Sequence, residues 1–189
     1  MEYKDLVEEI LKWSEEAIEA PLEAFGGLPA CPFAREAWAK NNVLMHLVFN
    51  LDPVIELKAI SDPTDKLVHV VAWLDYEQMT PDEFNNWLED QNKNHFGIWL
   101  MGFHPDSEEN EMTPPFEGVV EDDYALILVQ SLEHLVKASN KLRKTGYYKS
   151  FSKEGMKYID NRRSIFNAWN EKISQKKTSL SHKEKEKII

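Results

Sequence analysis

The sequence predicts an α+β domain: a small β-sheet with crossover helices, flanked by further helices at both ends of the chain. Three observations predict it. Strand-length apolar runs alternate with helical stretches between Asn42 and Phe103, in the order β-α-β-α-β. Residues 3–20 place Leu6, Val7, Ile10, Leu11, Trp13, Ala17 and Ile18 at helical spacing, with acids elsewhere. From Ser152 onward Met156, Ile159, Phe166, Trp169 and Ile173 form a second such line. Crossover connections wind helices onto a sheet, and a ferredoxin-like or related α/β sandwich is the expected arrangement.

The elements follow in order. Pro21 and Gly26-Gly27 end the first helix in a loop, and Pro32 opens a short helix from Phe33 to Lys40. Asn42 to Phe49 is a strand, apolar on both faces apart from His46, which predicts a central position. Asp52-Pro53 starts a helix through Ile60, and Ser61-Asp62-Pro63 marks a turn. Lys66 to Leu74 is the second strand. Thr80-Pro81-Asp82-Glu83 is a cap, a first-turn proline and first-turn acids, opening a helix that ends near Asn94. Phe96 to Phe103 is the third strand. Residues 105–120 read as an acidic, proline-bearing loop, with a fourth strand expected, if anywhere, at 116–120. Asp122 or Asp123 caps a long helix to Arg143, with Tyr124, Ile127, Leu128, Leu132, Leu135, Val136 and Leu142 as its stripe and Gly146 beyond its end. Ser152 caps the last helix. One domain is expected over residues 1–175, with 176–189 a basic, frayed tail.

A chain of 189 residues with 42% hydrophobic and 11% aromatic composition has ample material for a core. Its single cysteine excludes an intramolecular disulfide and a four-thiolate zinc site. The polar, acidic start is not a signal peptide, and no apolar run has the length of a membrane span, so the cytoplasm is the default compartment and no membrane partner is expected. The net charge of −11 is uneven: residues 1–136 carry −21 and residues 137–189 carry +10. A basic arm for an acidic partner is one reading. The other is basic helices packing over the acidic body of the same chain, and that body would repel phosphates.

Cys31 sits in a proline-bounded turn before a short helix, where free amides and the helix dipole favour a thiolate; Arg35, a turn later, adds to this. A small buried hydrophobe is the alternative. His104 follows the third strand at its C-terminal edge, where open α/β sheets place ligands. His46 and His69 lie in the first two strands and would share a face if those strands are neighbours; with His104 they are the candidate metal ligands, against a reading as satisfied core histidines. Asp106, Glu108, Glu109 and Glu111 offer an acid, a base or ligands, or are a solvated loop. Tyr147, Tyr148 and Phe151 among Lys144, Lys149 and Lys153 suit stacking on bases, or cover core aromatics with basic stems. No phosphate loop, dinucleotide fingerprint, zincin motif or nucleophile elbow is present. No cofactor is indicated.

Trp13, Cys31-Pro32-Phe33-Ala34, Phe103-His104-Pro105 and Tyr124 resemble, in order and spacing over residues 5–145, an uncharacterised bacterial domain family of unknown function. That family has a Trp-bearing helix, a Cys-Pro-Phe-Ala motif, a strand ending Phe-His-Pro and a Tyr-led long helix. The family's Pro-Tyr-Pro start, inward His and Arg-Glu pair are missing from Asp123 to Ser131. The resemblance implies Cys31 and His104 as site positions and implies no substrate.

Three functions follow as expectations. One is a small enzyme with Cys31 as nucleophile or ligand and His104 as base, Arg35, Asp106 and Tyr124 binding a small molecule. The second is a non-catalytic binding or homo-oligomerising module in which the Cys31 turn is structural. The third is a nucleic-acid-associated protein working through its basic C-terminal helices.

Overall fold

The structure, a computed structural model, describes residues 3–50, 68–94, 97–107 and 124–186. Helix α1 spans Tyr3–Trp13 and buries Leu6, Ile10 and Trp13, one residue per turn on one face. A π-helical turn, Ser14–Ile18, extends it. A two-residue antiparallel pair follows, β1 (Pro21–Leu22) and β2 (Leu28–Pro29). It closes through Gly26 and Gly27, whose φ values of +67° and +79° suit glycine. Helix α2 is Ala34–Ala39, as the Pro32 signal predicts.

The main sheet has β3 (Val43–Val48), β4 (Val68–Trp73), β5 (Ile98–Phe103) and β6 (Ala125–Ser131). Its order is β3-β4-β6-β5. β3 and β4 are parallel, and β6 runs antiparallel to both β4 and β5. Helix α3 (Pro81–Asn94) therefore joins two parallel strands, β4 and β5, with β6 inserted between them. The α+β class is as expected, with this helix as its crossover. The arrangement departs from the ferredoxin-like one, because the fourth place is an edge strand from earlier in the chain, parallel to its neighbour. The predicted helix at 52–60, the turn at 61–63, the strand at 116–120 and the caps Asp122 and Asp123 lie outside the described residues.

Three expectations are corrected. Residues 125–131 are a strand, and only Leu132–Leu142 is helical, as α4. β6 is central and buried on both faces, so its apolar run has no period, and a helical stripe fits it by accident. β3, expected to be central, lies at an edge. Ser131 ends β6 and caps α4 directly, its Oγ accepting the His134 N–H at 3.4 Å. Helix α5 runs Lys153–Glu186, so its backbone stays helical where a frayed tail is expected after Gln175.

Alternation along the strands sorts the core into two faces. α3 covers one: Phe84 and Leu88 pack on Val71, Trp73, Leu100, Ala125 and Ile127. Gly102 is needed there, because a Cβ would lie 2.5 Å from both Leu88 and Phe84. α1 covers the other, with Leu6, Ile10 and Trp13 against Val70, Ala72, Phe103, Tyr124 and Leu126. α4 and α5 close the β5 end of that second face, where Trp99, Leu132 and Val136 are buried beside Ile165 and Phe166. No helix of the described residues is long and apolar enough to cross a membrane.

Candidate functional site

Cys31 packs against the α1 face of the sheet. Its N–H donates to the Ile18 carbonyl at 3.0 Å and its own carbonyl accepts from Ala34 at 3.2 Å. The amides of Phe33 and Ala34 do reach the sulfur, as a helix start should, and Arg162 also favours a thiolate. Burial outweighs them, and with the Glu19 carboxylate it pushes the thiol up from its ordinary value. Cys31 is therefore a protonated thiol at neutral pH, not the activated thiolate expected of a nucleophile. Arg35 does not reach it: its Nε donates to Glu19 Oε2 at 3.2 Å. Ser14 donates to the other Glu19 oxygen at 3.1 Å and accepts from Trp38 Nε1 at 2.8 Å. The Glu19 side chain is 6% exposed and its charge is spent inside this network.

His104 lies on the other face. Its ring packs on Tyr76 and Phe84, beneath α3. The Asp106 N–H donates to Nδ1 at 3.2 Å, so that nitrogen is an acceptor. Nε2 must then carry the hydrogen, which it donates to the Met79 carbonyl at 3.0 Å. Both ring nitrogens hold backbone, and the imidazole ties the end of β5 to the start of α3. Phe103, one residue earlier, points to Trp13 on the α1 side, with ring centroids 5.0 Å apart. Cys31 and His104 are thus separated by the sheet, and the structure does not bring them together. Asp106 keeps its carboxylate in solvent, 72% exposed and 4.0 Å from Nδ1. Tyr124 does not lead a helix: it precedes β6 and is fully buried in the α1-side core.

His46 and His69 do meet. They are on neighbouring strands, His46 Nε2 is 3.0 Å from His69 Nδ1, and the rings stack at 5.2 Å. Among the described residues no third His, Cys, Asp or Glu joins them in a metal-binding group. His104 is four registers further along the strands and two strands across from His69, roughly 16 Å away. Burial pulls His46 down from its ordinary value, which favours the neutral, hydrogen-bonded pair. Glu108, Glu109 and Glu111 lie outside the described residues, as does His95.

The aromatic cluster faces inward. Tyr147 stacks on Phe25 and packs on Tyr148 and Phe151, leaving it 4% exposed. Its hydroxyl reaches the carbonyls of Ala30, at 2.6 Å, and Pro29. It thereby fastens the Cys31 turn to the chain after α4 and offers no platform for bases.

One buried charge has no counterpart in the expectations above. Arg162 is 6% exposed. Its Nη2 donates to Ser139 Oγ at 2.7 Å, and among the described residues its Nε has no hydrogen-bond partner. Cys31, Tyr147, Tyr148 and Tyr158 are the ionisable groups whose charge would favour its own. The signal was in the sequence: position 162 falls on the apolar line Ile159, Phe166, Trp169, where a charge has no place unless it is used. Comparison with protein-family models, with curated proteins and with solved structures finds no match to this chain.

Proposed function

We propose that this chain is a non-catalytic binding module, acting in the cytoplasm, in which Cys31 and His104 hold local structure. The observation that carries this reading is the position of His104, both of whose nitrogens are engaged by backbone on the face opposite Cys31. A base must be able to reach the proton it takes. A neutral thiol packed beside Tyr147 and the α1 core supports the same reading. So does the inward-turned aromatic cluster, which leaves the third expectation, nucleic-acid association, without its stacking surface.

Alkylation of Cys31 by iodoacetamide tests this. In the native chain the rate at neutral pH should be at least about tenfold below that of free cysteine, and denaturant should restore it. A native thiol that alkylates faster than free cysteine, with an inflection below the ordinary thiol range, would reinstate the enzyme reading.

A further inference from the structure

We propose that Arg162 anchors a binding site for a small monocarboxylate. The inference rests on the binding-module reading and names the ligand class of that module. A buried guanidinium keeps its charge at any physiological pH, and leaving it unbalanced costs several kcal/mol. The neighbouring arginines have a carboxylate beside them: Arg143 and Arg163 share Asp160. Among the described residues Arg162 has no carboxylate partner, and one neutral acceptor, Ser139 Oγ, serves its fork. The groups around it that could carry negative charge are Cys31, Tyr147, Tyr148 and Tyr158. Burial pushes Cys31 and Tyr147 away from ionisation, and the Tyr158 hydroxyl, on a residue that is 41% exposed, is also held above its ordinary value, so they do not supply the missing charge.

The donors left over define the ligand. Nε donates to nothing. Tyr158, one turn before Arg162 on α5, accepts from Trp99 Nε1 at 2.9 Å, which leaves its own hydroxyl hydrogen to donate. A planar group with two acceptor oxygens matches the guanidinium fork, and the phenol supplies a further donor. A single buried cation balances a single negative charge. A phosphate dianion would need a second cation, and Arg143 and Arg163 are committed to Asp160. A monocarboxylate matches the donors left over and the charge.

The test is thermal unfolding of the full chain against sodium acetate and sodium formate, with sodium chloride at equal ionic strength as the reference and sodium phosphate as the competing anion. We expect a saturable rise in melting temperature with acetate or formate that chloride does not give. Arg162→Lys keeps the charge and loses the fork, and should weaken the response by roughly tenfold. Arg162→Met removes the buried charge, and should melt at or above wild type without ligand and ignore acetate. A purely structural arginine would give the opposite, a Met variant that melts well below wild type in all salts. A wild-type chain that responds equally to chloride and to carboxylates overturns the site, and phosphate binding more tightly than acetate overturns the ligand class. If the Met variant does not fold, the wild-type and Lys titrations decide alone. A flat acetate titration with a slow Cys31 sinks this site and spares the module reading, whereas a fast-alkylating Cys31 sinks the module reading whatever acetate does.

Discussion

His46 and His69 face each other across two parallel strands, and a hydrogen bond 3.0 Å long joins their rings. One ring must donate and the other accept, so at least one is neutral in the fold. Burial holds His46 below its ordinary value of 6.5, whereas the unfolded chain leaves it there. The unfolded state therefore binds the proton more readily. The stability this pair contributes is complete above 6.5 and is lost as pH falls through the lower, folded value. Urea unfolding at about pH 7.5 and about pH 5 should show the loss, and His46→Gln, which keeps an amide donor near the same place, should flatten it. An unchanged pH dependence in that variant would assign the loss to other groups. At this scale the sequence was partly legible. The meeting of His46 and His69 follows from two strand positions on one face, once the strands are neighbours. The separation of Cys31 from His104 did not follow. Which face a residue takes depends on strand parity and on which helix covers that face, and neither motif carries that information.

Asn92 shows how an element is held in place without any motif. It is buried near the end of α3, its Nδ2 donates to the Leu100 carbonyl at 2.9 Å, and its Oδ1 accepts the Leu100 N–H at 2.7 Å. β5 is an edge strand, and these outward groups would otherwise be unpaired beneath a helix. Asn92→Ala should cost about 2–4 kcal/mol, because two backbone groups lose their partners and little apolar area changes. Chemical denaturation reads this directly, and a loss under about 0.5 kcal/mol would mean that water replaces the amide. The start of the same helix was legible: Thr80 donates its N–H to Glu83 at 2.9 Å, the reciprocal cap that Thr-Pro-Asp-Glu announces. β6 was not, since a strand apolar on both faces has no period, and Ser131 moves the chain from strand to helix without a loop. A cap signal inside an apolar run was the available warning, and Ile127 and Val129 the β-branched hint.

Over the whole molecule, the charge asymmetry follows the elements. The basic segment from 137 onward enters α4 and α5, which close the β5 end of the acidic sheet domain. Arg143–Asp160 and Arg163–Asn140 link the two helices, and Tyr158 and Arg162 reach the sheet and α4. α5 has 34 residues, an axial length of about 51 Å, against 11 in α4. Among the described side chains, those that anchor it, Tyr158, Arg163, Ile165 and Phe166, lie in its first half. If the domain ends at Gln175, as the sequence predicts, that point is a boundary of anchoring rather than of helix. A chain ending there should unfold within about 0.5 kcal/mol of the full chain, as surface changes do, while its helical circular dichroism falls by the residues removed. A loss above about 2 kcal/mol would show that residues after Gln175 bear on the core, and the domain would then extend to the end of α5. The same truncation leaves Arg162 and its surroundings intact, so it should not alter the acetate response. That separates the length of the helix from the charge it buries.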